Sequence, residues 1–417
     1  MASLTGLNAT VASGAKTLPI GVALTPLPDL SSGKIPLPNN ISTTTIPQPF
    51  RRGYIHNFNF TVEQEWKGFV LNTGYVGARG IRPLAQLNMN ASPAGTGTAG
   101  GLLTQALGRT IGGTITGLVP FKNSWYDSMQ TKLTRRFHDG SIAGLSWTWS
   151  KTTDYGDNDD LGSVAFAYPA YWEKSRAVAG FDRTHNISIY GVLQLPFGKG
   201  ERWAQTGIGN AILGGWQISP LINYLTGLPF TVNCPGALSA VGSTQTCDLV
   251  APFHRLNGKP NRDGICALTD LSCRYFDPSS FAAPFICTDT SLNTKTGLPN
   301  CPVISPPAHL GNTNRNEFRG PGYFGMNLSL ARQIKLTERF ALQLRADAIN
   351  FTNTPHFANP NANNCPGDAT RTTGPTACNT GSPSSTFGAI TGGLQPGGFF
   401  GPDPGARQIW LAARITF

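Results

Sequence analysis

The residues best able to do chemistry are scattered along the chain. Six histidines stand at 56, 138, 185, 254, 309 and 356. They form no HExxH and no pair one helical turn apart that would share a metal. His185 follows Asp182 and Arg183 closely enough to imitate a catalytic cluster. That group opens a β-type segment, so a structural role at the rim of a sheet is the simpler reading. Gly95, Gly97 and Gly100 spell GxGxxG. Phosphate binding by this motif needs a strand before it and a helix after it, and the Gly/Ala/Thr-rich surroundings promise neither. Asp154, Asp157, Asp159 and Asp160 gather carboxylates in one loop at a density calcium would accept. Their spacing is not that of an EF-hand, and a solvated acidic loop is the alternative. No GxSxG elbow occurs. The expectation is no catalytic residue, no metal site and no cofactor.

Eight cysteines are unevenly placed: 234, 247, 266, 273, 287 and 301 lie together, followed by 365 and 378. No CxxC and no Cys/His spacing suited to zinc appears. Six cysteines in one Pro/Asn/Thr-rich stretch read as local staples for a loop with no core of its own, which favours an oxidising compartment; unpaired thiols are the alternative. Six cysteines allow 15 connectivities. Pairing of sequence neighbours is expected, Cys234–Cys247, Cys266–Cys273, Cys287–Cys301 and Cys365–Cys378.

These residues must be held by β-structure. Side chains alternate with period two over Tyr54 to Glu65, Phe69 to Arg79, Tyr126 to Phe137, Ile142 to Thr153 and Arg183 to Leu195. The same period runs through Trp216 to Val232, Phe324 to Leu336, Phe340 to Phe351 and Arg407 to Phe417. These strands are longer than the five or six residues usual in soluble sheets. Their connections alternate in length, short at 66–68, 138–140 and 337–338, moderate at 196–212, long at 80–123, 154–181, 233–320 and 352–404. Residues 1–53 lack periodicity and read as an external loop or tail. Pro220 removes a ladder donor inside a strand and points to a bulge. A transmembrane β-barrel has this pattern of short inner turns, long outer loops and alternating strands.

Composition agrees. Charged residues are 13 % of the 417, against about 25 % in soluble proteins. With 49 glycines and 32 prolines, a helix-rich enzyme is disfavoured. No apolar run approaches the roughly 20 residues of a spanning helix. The net charge of +10 comes from scattered basic residues, without the stripe that nucleic acid would require. The first thirty residues hold no charged segment followed by an apolar run, so an export signal would have to lie upstream of Met1.

Several motifs occur together and in order. Tyr75-Val76-Gly77 and Arg79-Gly80 follow the first hairpin; Trp125-Tyr126, Met129-Gln130, Arg135-Arg136-Phe137 and Trp147-Thr148-Trp149 come next. Then come Phe181-Asp182-Arg183 with His185, Leu195-Pro196-Phe197-Gly198, Gly214-Gly215-Trp216 and Arg315-Asn316. Arg319-Gly320-Pro321-Gly322, Arg345-Ala346, Asn350-Phe351 and the terminal Phe417 complete the set. As a set it resembles the C-terminal barrel of Oar-like TonB-dependent outer-membrane transporters, over residues 54–417. The resemblance implies an all-β, antiparallel transmembrane barrel of about nine or ten long strands with long external loops, in the outer membrane. It also implies the TonB energy-coupling system and the barrel-assembly machinery as partners, the latter reading Phe417. The transported substrate is not legible. That family carries a signal peptide, a β-sandwich and a plug, none recognisable here, so an incomplete barrel, a fragment without conductance of its own, is expected. A secreted β-rich adhesion protein is the alternative, and a carbohydrate-active enzyme stands third.

Strand alternation further predicts a polar face carrying Gln333, Lys335, Gln343, Arg345, Asp347 and Arg414, which would line an aqueous interior, with Arg345, Asp347 and Lys335 as a charge network. Trp66, Trp203 and Phe417 should lie at the periplasmic interface, and Tyr75, Trp147 and Trp149 in the outer half.

Overall fold

The computed structural model describes residues 39–40, 42–157, 162–234, 240–256, 270–284, 310–337, 339–363, 376–377, 386–391 and 406–417. Nine long strands form its frame: β1 (Tyr54–Trp66), β2 (Phe69–Ile81), β3 (Asn123–Arg136), β4 (Ile142–Asp154) and β5 (His185–Gln194), then β6 (Trp216–Leu225), β7 (Tyr323–Lys335), β8 (Ala341–Ile349) and β9 (Gln408–Thr416). Each pairs antiparallel with its neighbours in sequence, so the sheet is one meander from β1 to β9. The short strand Ala177–Val178 adds to the end of β4. Among the described residues β1 and β9 pair with nothing on their outer sides, and the barrel is not closed.

Register decides what each face carries. One cross-strand row reads Glu63, Asn72, Lys132, Ser146, Ser188, Asn223. The adjacent row reads Leu71, Leu133, Leu145, Ile189, Ile222, Met326. Successive residues of a strand point to opposite faces, so the first row belongs to a polar face and the second to an apolar one. The same division runs to the other edge, where Gln333, Gln343 and Arg414 form one row and Ile334, Leu342 and Ile415 the next. Leu411 is 81 % exposed and Phe60 71 %. Apolar exposure over so wide a face is tolerable only against lipid.

The apolar band has borders. On β3, Asp127 and Arg135 share the apolar face eight residues apart, about 26 Å along a strand and roughly 20 Å across a bilayer when tilted. At the first border Asp127 pairs with Arg79 at 2.7 Å. At the second, the Arg135 guanidinium stacks on Phe69 and Phe137. Trp66, Trp203 and Phe417 lie at the Arg135 end. Tyr75 and Trp149 share the row of Met129, on the Asp127 side of the middle. Trp147 is one step lower, beside Thr131 at the band's centre, rather than in the outer half.

Turn chemistry fixes the short-connection end. Lys67 (φ 48°) and Gly68 (φ 77°) make a two-residue loop between the paired Trp66 and Phe69, the mirror-image turn whose twist matches a hairpin. Inside the sheet, Gly144 of β4 faces Tyr190 of β5, whose ring would lie 2.4 Å from a Cβ at that position, so the tyrosine packs where a side chain is missing. Pro220 makes no bulge. β6 and β7 keep one register from Trp216–Arg332 to Leu225–Tyr323. Pairing with β5 lapses only around Gly191 and resumes in register at Leu193–Ile218.

The long connections are more structured than sequence implies, and both apolar cores lie in them. A four-stranded sheet joins Thr43–Thr45, Ile115–Pro120, Leu84–Asn88 and Gly162–Ser163, drawing part of the 1–53 segment and of the 80–123 stretch into regular structure. Its core holds Ala85, Leu87, Phe121, Tyr155 and Val164. The cysteine-rich stretch has a core after all: Phe230, Val232, Phe276, Phe281, Phe318 and Phe387 pack with their edges and faces in contact around the Cys234–Cys247 disulfide. Widely separated phenylalanines gave no period, so sequence concealed it. Cys273 is also disulfide-bonded. Cys266, Cys287, Cys301, Cys365 and Cys378 lie outside the described residues, as does Glu338 of the 337–338 turn.

The two faces are separable by substitution. Leu411→Arg, opposite Ala346 and inside the apolar band, should cost about 2–4 kcal/mol, and Gln343→Arg on the polar face should cost under about 1 kcal/mol. Refolding into lipid vesicles against urea measures both.

Candidate functional site

By register, Gln333, Lys335, Gln343, Arg345, Asp347 and Arg414 share one face of the sheet. Gln333 and Gln343 are opposite one another, and Arg414 follows on β9. Arg345 and Asp347 sit two residues apart on β8, where Arg345 Nε donates to Asp347 Oδ1 at 2.8 Å. Lys335 lies three rows away, opposite Ala341, and enters no ion pair among the described residues. The expected three-member charge network is therefore a pair, because six residues of strand, about 20 Å, separate Lys335 from the level of Asp347. Elsewhere the face is bound by side-chain bridges: Asn72 Nδ2 donates to the Glu63 carboxylate (Oε2) at 3.1 Å, and Ser188 Oγ to Asn223 Oδ1 at 2.7 Å. Amides and hydroxyls, with Glu63 and Lys132 among them, make a wettable row across six strands.

Above this wall the long connections are clamped by two arginines of one segment. Arg315, its side chain 6 % exposed, reaches Asp154 at the end of β4 and, through Nη1 at 2.7 Å, Asp157. Its Nε donates to the Ser175 carbonyl at 3.0 Å. Asn316 donates through Nδ2 to both Asp157 oxygens and to the Val178 carbonyl. Four residues on, Arg319 pairs at 2.5 Å with Asp182, whose side chain is fully buried, and donates to the Gly227 carbonyl. Asp182 also accepts from the Thr152 amide. The Asp182, Arg183 and His185 group thus serves structure: Arg183 donates to the Thr226 carbonyl, and His185 Nδ1 accepts from Trp147 Nε1 at 3.3 Å. Arg315 and Arg319 join segments well over a hundred residues apart in sequence, which motif reading alone could not pair.

The same geometry gives protein partners to the groups singled out for ions and phosphate within the described residues. Asp154 and Asp157 turn to Arg315, so a guanidinium occupies the place a cation would take. Asp159 and Asp160 lie outside the described residues. Among the described residues, no three His, Cys, Asp or Glu converge as metal ligands would. The GxGxxG segment, expected to lack flanking elements, has both: the strand Leu84–Asn88 before it and helix α1 (Leu102–Leu107) after it. The helix start is already occupied, since Asn90 Oδ1 accepts from the amides of Leu103 and Thr104 at 3.1 and 3.0 Å. No local signal in sequence marks Asn90 for that task.

A cavity of about 660 Å³ lies among the connections. Gln86, Asn88, Thr116, Ser163, Asn233 and Thr244 line it, with Asp157 and Arg315 at its wall. Beside the first core, Glu173 accepts from Lys122 Nζ at 2.9 Å and from Tyr155 OH at 2.8 Å. Burial, then the hydrogen bond to Glu173 and its charge, push the Tyr155 phenol up to about 12.

Removal of the Arg315 side chain by Arg315→Met leaves buried carboxylate without its partner and should loosen the cap by about 3–5 kcal/mol. Amide exchange should rise in 154–182 and 310–320 and stay unchanged in the centres of β5 to β7. The Tyr155 phenol ionises near 10 when unfolded and near 12 when folded. Its contribution to cap stability is therefore complete below pH 10 and is lost as pH rises towards 12. Tyr155→Phe should remove that alkaline component from a pH series of cap stability.

The family model described as an outer membrane beta barrel domain matches residues 2–409. A solved structure of the outer membrane transporter YddB from Escherichia coli is similar over 90 % of this chain and 34 % of its own, at 10 % identity and a TM-score of 0.40. The FrpB iron transporter from Neisseria meningitidis (F3-3 variant) is similar over 81 % of this chain and 31 % of its own, at 9 % identity and a TM-score of 0.35. The chain spans about a third of the length of each. Among curated proteins no match was found. With alternating strands, one lipid-suited face, long connections sorted to one end and a family match across nearly its whole length, the chain belongs to the outer membrane β-barrel domain family and resides in the outer membrane.

Proposed function

We propose that the chain forms part of the wall of a substrate-uptake pore of the TonB-dependent transporter and receptor type. The polar face, with its rows of Ser, Asn, Gln and the Arg345–Asp347 pair, is the water-facing side of that wall. The clamped connections form its outer mouth. The observation that carries the reading is the continuous polar row from Glu63 to Asn223, backed by an apolar row on the opposite face. A surface anchor has no need of a polar interior face across six strands; a pore does. The ordered motifs from Tyr75-Val76-Gly77 to Arg345-Ala346 support the energy-coupled class, and with it the TonB system and barrel-assembly machinery as partners.

In this reading the sheet is one section of a larger wall. Transporter barrels of this class use about 22 strands, and the free edges of β1 and β9 are where the others would join. Free ladder groups in lipid cost several kcal/mol each, which gives both edges reason to be covered. Recordings of the 417-residue chain in planar bilayers are the test. No stable single-channel steps are expected. Reproducible steps of one size would contradict the partial wall and identify a complete small pore.

A further inference from the structure

Helix α2 (Gly207–Leu213) stands in the connection between β5 and β6. It exposes Ile208 at 78 %, Ile212 at 60 % and Leu213 at 47 %, with the two isoleucines one turn apart on the same side. Its position relative to the sheet is fixed by hydrogen bonds. Trp216 of β6 and Arg332 of β7 are directly opposite each other on the apolar face. Trp216 Nε1 donates to the Ile212 carbonyl at 2.9 Å. Arg332 donates to the same carbonyl at 3.0 Å and to that of Ala211 at 2.7 Å. The end of α2 is therefore tied to the lipid-facing side, at the level of the short connections.

Charge at this border differs from charge at the other. Arg202 stands 5.3 Å from the centre of the half-exposed Trp203 ring, and Arg332 stands 5.7 Å from that of Trp216. Lys199 is exposed beside them, and Glu201 is the one carboxylate in the connection. Among the described residues neither Arg202 nor Arg332 belongs to an ion pair, whereas Arg79 at the opposite border is neutralised by Asp127. Exposed aliphatic side chains, tryptophans and unneutralised arginines at one depth are the attributes of an interfacial helix. Guanidinium groups match phosphate oxygens in geometry, and basic segments at a membrane surface attract anionic lipid.

We propose that α2 and the connection around it bind anionic phospholipid headgroups at the short-connection border of the membrane. Ile208, Ile212 and Leu213 enter the acyl region, and Arg202 and Arg332 hold the phosphates. The surface continues the lipid-facing side of the sheet, and the proposal does not depend on transport.

The test uses the full chain reconstituted in phosphatidylcholine vesicles containing a minor fraction of phosphatidylglycerol. Association of spin-labelled phosphatidylglycerol is compared with that of spin-labelled phosphatidylcholine. The unaltered chain should retain phosphatidylglycerol preferentially. Arg202→Gln, which leaves the hydrogen bonds of α2 in place, should lower that preference by up to about fivefold, and adding Arg332→Gln by a similar factor. Arg255→Gln, an exposed arginine of the cap, should leave it unchanged. Separately, the added fluorescence of Ile212→Trp should be quenched by brominated acyl chains and shielded from aqueous acrylamide. Unchanged preference in both arginine variants, or an Ile212→Trp signal quenched by acrylamide and not by brominated lipid, would overturn the proposal.

Discussion

A bilayer offers the peptide backbone no hydrogen-bond partner, and that constraint organises this chain. Within the hydrocarbon every N–H and C=O must find its mate on the next strand. Strands long enough to cross, paired in sequence order, are the solution that a meander from β1 to β9 supplies. Side chains then have no choice but to alternate between lipid and the far side, which is why one register yields an apolar row and a polar row on adjacent positions. Pro220 shows how much the ladder tolerates. A missing donor opposite Gly191 interrupts pairing with β5 locally, and the frame carries on in register on both sides.

Outside the bilayer the requirement reverses. Water satisfies backbone groups but rewards apolar burial, so the long connections carry both aromatic cores while the sheet carries none. Two small cores need to be held to the strands and to each other. Arg315 and Arg319 do this from a single segment, anchoring it to Asp154 at the end of β4 and to Asp182 before β5. Buried charges of this kind are costly to desolvate and costly to leave unpaired. The clamps therefore contribute definition of one arrangement more than net stability.

The frame was legible in sequence because its signal is local. A two-residue period in Phe340 to Phe351, or Asp-Gly after His138, needs no knowledge of partners. Strand ends agree with the structure to within a few residues, apart from the run after Trp216, whose continuous strand stops at Leu225. The order of short and long connections was also legible. The cap was not, since Phe230, Phe276 and Phe387 meet only through folds of the chain that leave no period behind. The same holds for Lys122 with Glu173, and for Asn90 with the start of α1. Arg315 and Asp182 were visible as motif residues, but their partners were not, because a contact between distant loops has no signature in a single sequence. Pro220 misled for a physical reason: it predicts loss of one donor correctly, while the response of the ladder depends on the neighbour across from it.

The division of the sheet into a lipid face and a water face is most directly measured by nitroxide side chains placed one at a time along Ala341–Ile349 of the protein in lipid. Relaxation by oxygen, which concentrates in acyl chains, is compared with relaxation by a water-soluble nickel chelate. Positions 342, 344, 346 and 348 are expected to favour oxygen, and positions 343, 345 and 347 the chelate, in strict alternation. A flat profile, or the same alternation shifted by one residue, would contradict the assignment of the two faces.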